Sequence, residues 1–272
     1  GVKVREGIAP EQMSTVRPFS TTSFDDFRID GYVAIPETTS ALPLIVIPHG
    51  GPFGIREVWE YDTEMQFFAN RGFAVLKLNF RGSGGRGKLF EEAGYQEWGG
   101  HMIEDITAAA KWAATLEEID ESSMCIYGSS YGAFAALASV AKEPDLYRCA
   151  IGQVGVYDLE LMYDKGDIVQ RRAGRSFLTR TLGTDSARLR EQSPVYHADK
   201  IKVPVFLAHG TEDMRAPIQH AYRMRDALEA ADVEYEWYVE RGEGHGFYSV
   251  ENQVQLYDKI VSFVRRSIEK DL

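Results

Sequence analysis

The sequence predicts an α/β fold: a mostly parallel sheet of about eight strands with helices on both faces. Three observations predict it. Short apolar runs rich in Val, Ile and Leu recur along the 272 residues. Between them lie amphipathic stretches whose apolar residues return at helical spacing, the alternation of parallel strands with crossover helices. The hydrophobic share of 44% in a chain of this length suits one large core, so a single unit is expected.

Residues 1–22 show no clear period and read as an arm or linker, leaving 23–272 as the folded domain. FRIDGYVAIPE, at 27–37, alternates like a half-buried antiparallel strand. Strands are expected at LIVI (44–47), FAVLKL (73–78), MCIY (124–127), CAIGQV (149–154), VPVFLA (203–208) and VEYEWYV (233–239). Helical spacing marks 57–72, 101–116, the segment after Ser130, 217–231 and 253–270. Residues 157–195 carry charges and aromatics without a convincing strand. They are expected to form a helical or irregular excursion over the carboxyl ends of the strands, where open α/β sheets bind ligands.

The charge balance narrows the partners. A formal net charge of -11 argues against nucleic acid and anionic membranes, both of which need clustered Lys and Arg. Peptides and small acyl compounds stay open as substrates, and a homo-oligomer stays open as the assembly. Cys125 and Cys149 lie in apolar runs and read as buried thiols rather than a disulfide, which makes a reducing, cytoplasmic setting the expectation. No apolar run is long enough to span a membrane, and the first residues lack the basic-then-apolar pattern of a signal peptide.

The chemistry gathers around YGSSYGAF, 127–134. Strand MCIY runs into Gly128, and helical spacing resumes at Phe134, Leu137 and Val140, so both serines sit at a strand-to-helix corner. A nucleophile at such a corner needs nearly bare positions two before and two after it. Ser130 has Gly128 and Gly132 there, whereas Ser129 has Tyr127 and Tyr131. Ser130 is therefore the candidate nucleophile.

A serine hydroxyl needs a general base, itself oriented by a third group. Strand VPVFLA is followed by HGTEDMRAP and strand VEYEWYV by ERGEGHGFY, which supplies Asp213 and then His245 in the order acid, base after the serine. Gly244 and Gly246 leave His245 on a bare loop. Glu212 is the rival acid. His209 ends a strand, His220 lies in a helix, and His101 and His197 lack a suitably placed carboxylate. An oxyanion hole would use the amide of Tyr131 at the helix start and that of Gly50 or Gly51 in LIVIPHGGPFG, with Gly51 preferred.

These residues resemble the catalytic domain of the prolyl oligopeptidase family of serine peptidases, nearest the acylaminoacyl-peptidase and dipeptidyl-peptidase-like branches. The resemblance runs from about residue 22 to the C-terminus through HGGPFG (49–54), NFRGSGGRG (79–87), GYQEWGGHMIEDI (94–106), GSSYGAF (128–134), HGTEDMRAP (209–217) and EGHGF (243–247). It implies an α/β-hydrolase fold, with Ser130 as nucleophile, His245 as base, Asp213 as its orienting acid, and the Tyr131 and Gly51 amides as oxyanion donors. Ala133 stands where a third glycine is common, and Phe80 where proline often precedes the arginine; both bear on the branch rather than the chemistry. The opening stretch looks like the junction that follows a β-propeller in such proteins. That makes an excised catalytic domain the expectation, with a naturally short carboxylesterase as the alternative and a catalytically dead binding protein as a third reading.

Tyr157 is a candidate for the substrate pocket. Arg81, Arg171, Arg172 and Arg175 are candidates to receive a substrate carbonyl or carboxylate, against the commoner reading of solvated or salt-bridged groups. No cofactor is expected: the sequence has no zinc pattern, and GSGGRG lacks the Lys-Ser/Thr pair of a phosphate loop.

Overall fold

The computed structural model describes residues 14–269. The first edge of the sheet comes from Thr15–Thr22 (β1) and Arg28–Ile35 (β2), an antiparallel hairpin. Leu42–Pro48 (β3), Ala74–Asn79 (β4), Ile119–Ser129 (β5), Cys149–Gln153 (β6), Val205–Gly210 (β7) and Tyr235–Glu240 (β8) complete eight strands in the order β1-β2-β4-β3-β5-β6-β7-β8. Only the β1–β2 and β2–β4 pairings are antiparallel.

The helices are Thr63–Ala69 (α1), Lys88–Glu92 (α2), His101–Ala114 (α3), Tyr131–Lys142 (α4), Leu161–Asp164 (α5), Arg172–Leu182 (α6), Ser186–Gln192 (α7), Gln219–Ala230 (α8) and Val250–Glu269 (α9). Because successive strand residues face opposite sides, Leu44, Val46, Met124 and Ile126 pack under α3, α4 and α8, while Ile45, Ile47, Tyr127 and Ile151 pack under α1 and α9. The central strands are buried on both faces, which is why they read as continuous apolar runs. The helix expected over 57–72 is shorter, because Asp62 caps it and its carboxylate accepts the Glu64 and Met65 amides. The excursion after β6 contains α5, α6 and α7 and no strand.

Two expectations are corrected. Residues 15–22, read as part of an arm, form β1, an edge strand whose one buried side chain is Phe19, stacked on Trp112 of α3 with ring centroids 4.4 Å apart; the remainder of the expected arm, 1–13, lies outside the described residues. Cys125 and Cys149, read as thiols, form a disulfide. They are register partners on the adjacent parallel strands β5 and β6 with Cα atoms 4.8 Å apart, within bridging range. The expected reducing compartment rested on free thiols, and the pairing withdraws that support. Among the described residues no helix is long and apolar enough to cross a membrane.

Arg81, at the end of β4, is consumed by structure. Its guanidinium bonds both oxygens of buried Asp105 on α3 and both oxygens of Asp25 in the β1–β2 turn, at 2.8–2.9 Å. The edge hairpin is thereby tied to the helical layer, and Arg81 is only 3% exposed. Its fifth N–H faces His101 Nδ1 at 3.5 Å, so no donor is left for a substrate carbonyl at the surface.

Candidate active site

Strand β5 delivers the chain to Ser130 at the carboxyl edge of the sheet, and α4 begins at the next residue. The turn is as tight as the glycine spacing requires. A Cβ on Gly128 would lie 2.2 Å from the Gly132 carbonyl carbon, and one on Gly132 would lie 2.4 Å from the Pro48 oxygen. Between them Ser130 sits at φ 58° and ψ -118°, a conformation that L residues hold only when neighbours impose it. Ser130 occupies the N-cap position of α4, yet its side chain makes no capping bond. The hydroxyl is left uncommitted, which is unusual for an N-cap serine.

The loops after β7 and β8 leave the same carboxyl edge of the sheet, since β5 to β8 run parallel. His245 Nδ1 donates to Asp213 Oδ2 at 2.8 Å, and the Asp213 carboxylate is wholly buried. Its other oxygen accepts the amides of Arg215 at 3.0 Å and Ala216 at 2.8 Å, so the acid cannot rotate. Glu212, the rival, is exposed at the surface and only its backbone engages the neighbouring loop, through the Glu243 carbonyl. His209 lies close to the same carboxylate oxygen as His245. Burial lowers its pKa and keeps it neutral; its Nε2 donates to the Ala216 carbonyl at 2.6 Å and lies 3.5 Å from Asp213 Oδ2. The Ser130 hydroxyl itself is hydrogen-bonded to no described residue.

The HGG segment after β3 closes the other side: a Cβ on Gly50 would stand 3.6 Å from Ser130 Cβ. His49 folds back on this loop. Its Nδ1 faces the Gly50 carbonyl at 2.7 Å, which can only accept, so Nδ1 carries the proton and Nε2 accepts from Ser83 Oγ at 2.7 Å. Burial lowers the His49 pKa to about 4, so this neutral tautomer persists. The ring also stacks on Phe80, centroids 4.3 Å apart. Tyr131 anchors the start of α4 through its phenol, which donates to the Trp98 carbonyl at 2.9 Å. As a first-turn residue it has an amide without an intrahelical acceptor.

Tyr157 is not at this site. The chain turns at Val154, φ 46°, and carries the Tyr157 ring into the core against Gly152 and beneath α4, leaving it 0% exposed. Its amide donates to the Nδ1 of buried His220. The expected pocket role is therefore corrected to a packing one. Sequence reasoning in turn set His209 aside as the end of a strand and passed over His49, Ser83 and Gln153. The last was legible as the one polar side chain near the carboxyl end of an otherwise apolar strand.

Residues 59–271 match the profile of the prolyl oligopeptidase family. The chain belongs to that family. It is 32% identical over 251 residues to dipeptidyl aminopeptidase BIII of Pseudoxanthomonas mexicana, covering 86% of this chain and 36% of that protein. It is 27% identical over 241 residues to the human acylamino-acid-releasing enzyme, covering 85% of this chain and 32% of the relative. Among solved structures, a puromycin-hydrolyzing peptidase of Mycobacterium tuberculosis superposes with a TM-score of 0.90 at 25% identity, over 97% of this chain and 41% of the other. An acylaminoacyl peptidase in complex with Z-Gly-Gly-Phe-chloromethyl ketone superposes with a TM-score of 0.87, again at 25% identity, over 94% of this chain and 42% of the other. The eight-stranded sheet is thus the α/β-hydrolase fold of prolyl oligopeptidase family members. The chain spans about a third of the curated relatives' length, 36% and 32% in the two cases.

Proposed function

We propose that the chain is a serine peptidase that hydrolyses peptide or acyl-peptide bonds through an acyl-enzyme on Ser130. The observation that carries the reading is the Asp213–His245 pair, 2.8 Å apart, at the sheet edge where Ser130 is held in a strained corner with an unused hydroxyl. The names of its relatives, a dipeptidyl aminopeptidase and an acylamino-acid-releasing enzyme, support an amide-bond substrate.

In this reading Ser130 Oγ attacks the substrate carbonyl while His245 Nε2 takes its proton. Asp213 holds Nδ1–H and stabilises the imidazolium that forms. The amides of Tyr131 and Gly51 receive the oxyanion, the first at a helix N-terminus that favours negative charge. His245 then protonates the leaving amine, and water repeats the sequence on the acyl-enzyme.

His49 explains how a glycine loop can aim a donor. The Gly50 carbonyl and the Gly51 N–H belong to one planar trans peptide and point in opposite directions. By holding the carbonyl, His49 sets the direction of the amide. His49→Ala is expected to lower kcat by about 10²-fold, the scale of a lost oxyanion donor, with a smaller change in KM; steady-state kinetics checks it.

The reading is tested by comparing N-acyl-aminoacyl and aminoacyl p-nitroanilides with p-nitrophenyl esters. Turnover of anilides is expected. Ester turnover alone would replace the peptidase by a carboxylesterase, and no turnover of either would leave a binding protein on a hydrolase fold.

A further inference from the structure

The elbow has two faces, and they are held differently. Toward α4 it is all close approach, with Gly128 against Gly132 and no side chain between them. Toward α1 and α9 it is held by hydrogen bonds, and one residue provides them. Gln153 ends β6 as the register partner of Ser129. Its backbone carbonyl accepts the Ser130 amide at 3.0 Å. Its side-chain carbonyl accepts the Tyr127 hydroxyl at 3.0 Å and the Ser129 hydroxyl at 3.1 Å.

We propose that Gln153 is a positioning residue that holds the nucleophile elbow in its strained conformation, a role that rests on the hydrolase reading above. Three of the four residues 127–130 are bonded to it, and both lone pairs of its side-chain oxygen are used. The Tyr127 arm of the clamp is dry, with Gln153 8% exposed and Tyr127 1%, while Ser129 is half-buried. Around the Tyr127 hydroxyl hydrogen bonds are stronger, and that donor has no water to replace a lost Gln153 acceptor. It is also backed from behind. Tyr257 of α9 packs near Tyr127, ring centroids 6.4 Å apart, and donates to Glu64 of α1 at 2.6 Å. Glu64 and Asp62 in turn pair with the buried Lys77 of β4 at 3.2 and 2.7 Å. Ser129 thus has a task of its own: its hydroxyl is an anchor of the corner that presents Ser130.

The consequence is kinetic. Ser130 does not cap α4, so its backbone keeps its shape only through its neighbours. Once the side-chain acceptor is removed, the 129–130 peptide can relax, displacing the Ser130 hydroxyl and the Tyr131 amide together. Small displacements of reacting groups act on the transition state more than on substrate binding.

Gln153→Met keeps length and removes the acceptor; Gln153→Glu keeps the acceptor. The expected result is a fall in kcat of about 10- to 100-fold for Gln153→Met with KM within about twofold, and recovery of most of kcat in Gln153→Glu. Tyr127→Phe combined with Ser129→Ala is expected to lower kcat as well, and adding Gln153→Met to that pair to cost less than about twofold more, since coupled residues are not additive. Wild-type kcat in Gln153→Met, a change confined to KM, or fully additive losses would overturn the proposal. Hydrogen exchange of the Ser130 amide reads the clamp without turnover: faster exchange in Gln153→Met and its reversal in Gln153→Glu support it, and unchanged exchange overturns it. A wild-type chain with no hydrolase activity would remove the hydrolase reading, while the exchange result still decides whether Gln153 holds the elbow.

Discussion

Ser130→Ala is expected to lower kcat by about 10⁶-fold, the scale of losing the nucleophile from a working triad, while the chain stays folded. The structure separates these two outcomes. The Ser130 hydroxyl caps nothing and is hydrogen-bonded to no described residue, so its removal costs the fold almost nothing. Alanine meets the same φ of 58° as serine does, so the backbone strain is unchanged. Residual turnover would come from binding and the oxyanion donors alone. Circular dichroism and a urea transition that match the wild type, beside lost turnover of an aminoacyl anilide, would show both. Ser129→Ala is the informative neighbour: it removes one hydroxyl from the Gln153 clamp and keeps the Ser130 hydroxyl itself.

Asp213→Asn is expected to lower kcat by about 10⁴-fold, for a reason that can be read from its partners. Asp213 Oδ1 accepts two backbone amides, at 3.0 and 2.8 Å. In the asparagine variant those amides require the side-chain oxygen at that position, which turns the new NH₂ toward His245 Nδ1. Two donors then face each other, and the imidazole must move its proton to Nε2 to accept. An Nε2–H cannot take the Ser130 proton. The neighbouring Nε2 of His209, already donating to Ala216, cannot relieve the clash. Binding of a substrate or inhibitor should change little, so kcat rather than KM carries the loss, and single-turnover acylation would locate it in the chemical step.

The parts of this site that were legible in the sequence are those set by local sterics and by chain order. The glycines two before and two after Ser130 are demanded by contacts within the corner itself, and Asp213 and His245 occupy loops directly after identifiable strands. The buried strands were legible because each is covered on both faces. β1 was not, because it is an exposed edge that carries Pro18, tolerable there, and buries only Phe19. The Cys125–Cys149 bridge depends on β5 and β6 being neighbours in register, which no local pattern states. Tyr157 was misplaced because the turn at Val154 sends the chain back under α4 instead of out over the cleft. Gln153 was absorbed into an apolar run, although a polar side chain at the carboxyl end of a buried strand must find partners, and it found them on the adjacent strand.

The central claim is that the second of two adjacent serines is the nucleophile. Reaction with a fluorophosphonate followed by peptide mass spectrometry tests it most directly. The account predicts a single adduct on Ser130, blocked by His245→Ala. An adduct on Ser129, or an unlabelled chain that still hydrolyses its substrate, would contradict it.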